Sequence, residues 1–253
     1  GEINVVFFSP QELKLVRESP DERRKFMDID ISQNNKRYFY QLSRYEKILA
    51  NRNKLLKNSQ TLEAVKETID IWDRALVTSA KFIAFERNKF IEQIMPYSQK
   101  AHSYISGGKE NLTLKYKCGC GVNLDEKFEV SMDKLLKKNL EKDFRLGYTS
   151  IGTHRDDIDI FLNDVEVKSF GSQGQQRTVA LSLKLAELEN MFNINGEYPI
   201  LLLDDVFSEL DIDRQKRLLK FVDRTQTFIT CTDEREIEGK LYTIIDGKIS
   251  KTT

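Results

Sequence analysis

Apolar and polar positions change period along this chain, and the changes mark its parts. Ile3–Phe8 alternates weakly and reads as a strand. Ser9-Pro10 opens a helix that runs to about Glu18, and Ser19-Pro20 opens a second, with Asp21 and Glu22 in its first turn. From about Asn34 to Ser106 the period is helical. Tyr38, Leu42, Tyr45, Leu49 and Leu56 share one face, and Leu62, Val65, Ile69, Trp72, Leu76 and Phe82 continue the habit. Asn58-Ser59 is the break, so two long helices are expected to pack as a hairpin. Pro96 is expected to interrupt the second, and Ser106-Gly107-Gly108 to end the section.

Past that point the elements shorten. Asn111–Lys117 reads as a strand and Ser131–Lys142 as a short helix. Ile158–Leu162 and Val165–Lys168 flank Asn163-Asp164, a two-residue hairpin signal. A helix follows from Ser172, then an apolar strand, Pro199–Leu203, whose run from Ile200 suits burial on both faces. Asp211–Phe221 reads as a helix, Thr225–Thr230 as a strand, and Leu241–Ser250 as a hairpin about Asp246-Gly247. The last third therefore alternates strand and helix, the pattern of an α/β sheet, while the middle is helical.

Composition narrows the class. The 253 residues are 40% apolar and 32% charged, enough for a sizeable core in one large domain or two modest ones. No apolar run approaches membrane-spanning length, and GEINVVFFSP is not a secretory leader. Gly1 opens almost directly into a strand, so the chain is expected to begin inside a larger protein. Cys118, Cys120 and Cys231 are too few and too oddly spaced for a disulfide framework or a four-ligand zinc site. Cys118-Gly119-Cys120 reads as a turn between strands, and a reducing, cytoplasmic setting is expected.

Formal net charge is zero, but its distribution is polarised. Between positions 36 and 57 stand Lys36, Arg37, Arg44, Lys47, Arg52, Lys54 and Lys57 against one acid, Glu46. A basic helix of this kind suits phosphate contact without base reading, or is simply a solvated face. The segment about Asp204–Asp213 is acidic.

Two stretches carry candidate chemistry. In GSQGQQRTVALSLKLAELE, Ser172 and Gln175 have capping-box spacing. That explains the serine and the glutamine but not Gly174, which costs roughly 1 kcal/mol against alanine in a helix. Glycine belongs there if a ligand must approach the backbone, and free amides at a helix start suit a phosphate. Capping alone and anion contact both stay open. In YPILLLDDVFSELDIDRQ, Asp204 and Asp205 follow a strand at the end where open α/β sheets bind ligands. Adjacent carboxylates repel each other unless a cation lies between them; two solvated acids opening a loop are the alternative.

Taken in order, Ser172-Gln173-Gly174-Gln175, Leu201–Asp205 and Ser208-Glu209-Leu210-Asp211 resemble the signature turn, Walker B strand and following loop of ABC-type ATPases. The RecF family of bacterial recombination proteins is the closer resemblance. It is carried by VVFFSPQELKLVRESPDERRKFMDIDISQ, GTHRDDIDIFLN, GSQGQQRTVALSLKLAELE, PILLLDDVFSELD and FITCTD. The signature here is G-S-Q-G-Q, as in the RecF type. No G-x-x-x-x-G-K-[ST] occurs, so the chain resembles that family without its upstream phosphate loop.

The resemblance implies an α/β fold: a partial ABC-type ATPase lobe with an inserted, mainly helical second lobe. Residues 1–18 would be a remnant of the N-terminal ATPase lobe, 19–145 the helical lobe, and 146–253 the rest of the ATPase lobe. It implies ATP and Mg2+ as cofactors, held between two subunits that close head to tail. Ser172, Gln173, Gly174 and Gln175 would meet the γ-phosphate held by the other subunit. Asp204 would be the magnesium-side acid. Asp205 stands where relatives place a catalytic glutamate; being one methylene shorter, it implies slow hydrolysis. Asp211 would cross the dimer interface, and Thr230 and Cys231 fall near the switch position, where many relatives have histidine. Gln11 falls near a Q-loop, and His154-Arg155-Asp156-Asp157 near the nucleotide or the lobe interface, or in a plain structural turn. Implied partners are DNA, in duplex regions beside single-stranded gaps, and RecO and RecR in the loading of RecA. A helical binding module with a non-catalytic ATPase remnant is the alternative. A coiled-coil arm is not: the helical section is too short and its heptads are not sustained.

Overall fold

The computed structural model describes residues 4–232 and 239–252. Ile3 of the expected first strand and Asp233 of FITCTD lie outside the described residues. The element that organises the rest is helix α5, Ile69–Ser106, 38 residues and about 57 Å long. Around it pack α2 (Pro20–Asn34), α3 (Lys36–Asn58), α6 (Phe128–Leu146) and α8 (Gln173–Asn195). The expected hairpin is there: α3 ends at Asn58, a short α4 (Leu62–Lys66) follows, and α5 returns along α3.

Pro96 does not interrupt α5. Proline removes one amide and so frees the carbonyl four residues earlier, that of Glu92. Both Pro96 and Glu92 lie on the exposed side, where water can take that carbonyl, while Ile94, Ser98, Ala101, His102 and Ile105 are buried on the other. Packing on the buried side carries the helix through. Gly107, in the left-handed conformation at φ 78°, ends it as expected.

Two small sheets flank this spine. One is parallel, in the order β1 (Val5–Phe8), β5 (Ile200–Asp204), β6 (Thr227–Thr230), with Val6 opposite Leu201 and Leu203 opposite Ile229. One of its faces is covered: Val6, Phe8, Leu201 and Leu203 join a core that includes Val179, Leu181 and Leu185 of α8. On the other face Val5, Phe7 and Phe228 are exposed and Ile200 and Leu202 only half-buried, so the expected burial on both faces is not met among the described residues. The other sheet is antiparallel, β2 (Leu112–Lys117) against β3 (Asp157–Leu162) and β4 (Val165–Glu166). Asn163 and Asp164 take φ of 49° and 64°, the type I′ turn that their identities favour. Only Val165–Glu166 pair as strand; Val167 is buried and starts a short helix, α7 (Val167–Phe170), so the expected strand to Lys168 stops early.

Between β1 and α2 the chain winds through a 3-10 turn, Pro10–Leu13, and a single helical turn, α1 (Lys14–Arg17). Helix α9 (Ile212–Val222) joins β5 to β6, and β7 (Tyr242–Ile245) with β8 (Lys248–Thr252) forms the expected hairpin. The core is continuous from Val6 and Phe8 through α3, α5 and α8 to Leu218 and Val222, so the helical section and the parallel sheet share it. No helix of the described residues is long and apolar enough to cross a membrane.

Candidate nucleotide and nucleic-acid sites

At the carboxyl end of β5 the strand's burial alternation delivers Asp204 to the surface. Asp205 then takes the left-handed conformation, φ 48°, which aspartate tolerates because its short polar side chain can bond locally. The chain turns there and does not extend the strand. Thr230, paired in register with Asp204 on the neighbouring strand, closes the corner. Its hydroxyl donates to Asp204 Oδ1 at 2.6 Å and accepts the Asp205 amide at 3.1 Å. The two aspartates and Thr230, expected separately as Walker B acids and near the switch position and 26 positions apart in sequence at the widest, are thus joined by one hydroxyl. Ser208 Oγ donates to the Asp205 carbonyl at 2.9 Å and steadies the turn.

The signature turn is built as a capping box. Ser172 N–H donates to Gln175 Oε1 at 2.8 Å, and Gln175 N–H donates to Ser172 Oγ at 3.2 Å. These account for the amides of Ser172 and Gln175. The amides of Gln173 and Gly174 are ones the helix itself cannot satisfy, because no carbonyl lies a turn behind them. Gly174 also faces a cation: a Cβ there would come within 3.2 Å of Arg214 Nη1. Arg214 belongs to the start of α9, where Asp211 caps the helix by accepting the Arg214 amide at 2.9 Å. Asp211 and the signature turn, read separately from the sequence, therefore meet through Arg214.

Behind the signature lies a chain of hydrogen bonds that sequence reasoning missed. Gln175 Nε2 donates to Glu110 Oε1 at 2.9 Å, and Glu110 Oε2 meets His102 Nε2 at 3.0 Å. His102 Nδ1 lies 3.2 Å from Ser182 Oγ, which donates to the Thr178 carbonyl. Burial lowers the His102 pKa, against the opposing pull of Glu110. A lone histidine on a long helix gives no sequence signal of this, since its partners come from other elements.

The basic segment divides. Lys36, Arg37, Arg44, Lys47, Lys54 and Lys57 are exposed along α3, with the Arg37 guanidinium 4.7 Å over the Phe82 ring. Arg52 is fully buried and is removed from the candidate DNA contacts. It lies seven residues after Tyr45 and fourteen after Tyr38, on the stripe that faces the core. There it donates to Asp73 at 2.6 Å, Asp143 at 3.0 Å and Thr149 Oγ1 at 2.9 Å.

His154-Arg155-Asp156-Asp157 is a joint between the helices and the antiparallel sheet. His154 Nδ1 meets Tyr45 OH at 2.8 Å, its Nε2 meets the Thr149 carbonyl at 3.0 Å, and burial pulls its pKa down to about 4. Asp156, wholly buried, takes Arg87 at 2.6 Å, the Gly119 amide at 2.7 Å and the Tyr116 hydroxyl. Asp157 pairs with Arg23 of α2. Cys118-Gly119-Cys120 is a turn, but it leads from β2 toward α6 and not to another strand. Gly119 is needed there, since a Cβ would sit 2.3 Å from the Arg155 backbone carbon. Among the described residues Cys118, Cys120 and Asp156 have metal-ligand proximity, but the Asp156 oxygens already serve Arg87, Tyr116 and Gly119. Gln11 lies in the 3-10 turn after β1, on the rim of a cavity of about 200 Å³ with Lys184 and Glu187.

No protein-family model matches the chain. The DNA replication and repair protein RecF of Clostridium perfringens is 45% identical over 255 residues, covering 98% of this chain and 69% of that protein. The chain belongs to the RecF family. The RecF of Clostridium botulinum is 42% identical over 258 residues, covering 99% of this chain and 70% of its own length. Two solved structures agree in fold. The recombination mediator protein RecF-ATP in the RecFOR pathway superposes with a TM-score of 0.87 at 36% identity, over 100% of this chain and 68% of that one. RecF-ATPrS in the same pathway gives 0.87 at 37% identity, over 98% and 68%. The expected fold is therefore that of the RecF-type ABC ATPase, and the family is one of DNA replication and repair proteins.

Proposed function

We propose that this chain is the part of a RecF-type, ATP-dependent DNA-binding protein that offers the signature turn, the Walker B acids and a basic helix, in the repair of single-stranded gaps. The observation that carries the reading is the corner at the end of β5, where Thr230 holds Asp204 and the Asp205 amide together, in a chain whose relatives include an ATP complex. Asp204 is exposed, with Oδ1 fixed by Thr230. A carboxylate presented at the carboxyl ends of parallel strands is the hard oxygen donor that Mg2+ takes beside phosphates. The metal, when bound, would neutralise phosphate charge. Asp205 then stands one residue further on to orient the attacking water.

The capping box occupies the amides of Ser172 and Gln175, and those of Gln173 and Gly174, which the helix cannot satisfy, would take a γ-phosphate carried by a second subunit. Asp211, tied to Arg214 beside Gly174, would lie at the same head-to-tail interface. No phosphate loop lies within the 253 residues. The signature turn would act in trans, toward a nucleotide held by another subunit, and Asp204 and Asp205 beside a phosphate loop of their own lobe. Its parts would be residues 1–18 and 146–253 in the ATPase lobe and 19–145 in the helical lobe, with RecO, RecR and gapped DNA as partners in the cytoplasm. Six exposed cations on α3 would contact DNA phosphates.

Calorimetric titration of MgATP into the chain alone tests the assignment in trans. No binding is expected. Clear binding that disappears on Asp204→Asn would overturn it, because the chain would then hold a nucleotide in its own site.

A further inference from the structure

Near the start of α3 two large aromatic side chains stand in water: Tyr40 is 69% exposed and its neighbour Phe39 54%. Their rings meet edge to face, with centroids 5.8 Å apart. Exposed apolar residues scattered singly need no explanation, but adjacent aromatics inside a charged stripe do. Helical spacing sets Lys36 one turn before Tyr40, Arg44 one turn after it and Lys47 two turns after it, all exposed. Between positions 36 and 57 the one acid is Glu46. The stripe thus alternates cationic side chains with a flat π-surface, and its neighbour Phe39 widens that surface.

We infer that Tyr40, backed by Phe39, is a stacking platform for unpaired bases, and that Lys36, Arg44 and Lys47 hold the backbone of that single strand. The inference rests on the proposed DNA contact of α3 and deepens it, by naming single-stranded nucleic acid as the occupant. Charge decides the occupant: a purely apolar partner would leave these cations without counterparts, while a polyanion pairs them. Access decides the form: the faces of duplex bases are covered by their neighbours, whereas unpaired bases can lie on an aromatic ring, with little regard to sequence. A helix that grips duplex and single strand alike through phosphates, but adds stacking for unpaired bases alone, would favour the edge of a gap.

The test measures binding of the full 253-residue chain, at low salt, to an oligothymidylate, a blunt duplex and a gapped duplex, for the native chain, Tyr40→Leu and Lys47→Gln. Both substituted positions are exposed, so melting temperature is the control for folding. Tyr40→Leu is expected to weaken binding to the oligothymidylate and the gapped duplex about tenfold, the size of one base stack, and to leave the blunt duplex unchanged. Lys47→Gln is expected to weaken all three. If Tyr40→Leu changes nothing, or weakens all three equally, while Lys47→Gln weakens all three, stacking is overturned and the phosphate surface stands. If the native chain binds none of the three, or Lys47→Gln changes nothing, the DNA reading of α3 itself fails. A fluorescent adenine analogue in the gap gives the direct signal: quenching on binding to the native chain, and none with Tyr40→Leu.

Discussion

Arg52→Met separates a structural cation from a DNA-binding one. Arg52 is fully buried and donates to two carboxylates, Asp73 and Asp143, whose side chains are 2% and 0% exposed. Methionine keeps much of the volume but removes the charge and every donor. Both carboxylates are then left without their cation in the interior. Removing one partner of a buried pair costs about 3–5 kcal/mol. For a chain of this size 1 kcal/mol moves the melting temperature by roughly 2–4 °C, so a fall of about 6–20 °C is expected. The pH dependence follows from Asp73, whose pKa burial raises against the pull of Arg52. Without Arg52 it rises further. A carboxyl with a raised folded-state pKa binds its proton more tightly folded than unfolded, so the variant should regain stability as pH falls from neutral toward the carboxylate range. The assay is thermal unfolding followed by circular dichroism at several pH values, with DNA binding measured well below the melt. Native-like melting together with abolished DNA binding would refute the reasoning, because Arg52 would then be a surface residue that meets DNA.

Lys47→Gln should leave the melting temperature unchanged and reduce the salt dependence of DNA affinity by about one unit of slope, the effect of neutralising one phosphate fewer. Gly174→Ala should be neutral or stabilise by up to about 1 kcal/mol, because it improves helix propensity and meets only the movable tip of Arg214, yet it should abolish ATP-dependent pairing with a full-length relative, read by sedimentation. Thr230→Val should lower stability by under about 1 kcal/mol in thermal unfolding, since water can replace its exposed bonds. His154, buried with its pKa near 4 against an ordinary 6.5, is neutral when folded; unfolding lets it take a proton, so stability is lost as pH falls from about 6.5 toward 4, and His154→Gln should flatten that window in a urea titration.

Local rules hold where a segment can satisfy its own backbone. Asn163-Asp164 supplies both left-handed residues of its turn, and Ser172 with Gln175 closes a box over three residues. At the Asp204 corner strand, acid and turn are contiguous in sequence, whereas Thr230 comes alongside only through the parallel pairing of β5 and β6. Where the sequence misleads, the deciding partner is distant. Composition counts Arg52 with the basic helix, although Tyr38 and Tyr45 already mark its stripe as buried; Asp73 and Asp143, 21 and 91 residues away, keep it there. Propensity makes Pro96 a break because it ignores the packing that holds α5 on its buried side. The joint at His154–Asp157 and the Gln175–Glu110–His102 chain draw on α2, α3, α5 and α8 at once, and no short motif encodes either.

Sedimentation velocity of the chain mixed with the full-length RecF of Clostridium perfringens, with and without MgATP, tests most directly whether this chain presents its signature turn to a nucleotide carried by another subunit. A heavier mixed species is predicted with MgATP and not without it, and it should vanish when Ser172 is changed to Arg. Mixed species independent of nucleotide, or none with MgATP while the full-length protein pairs with itself, would contradict the assignment.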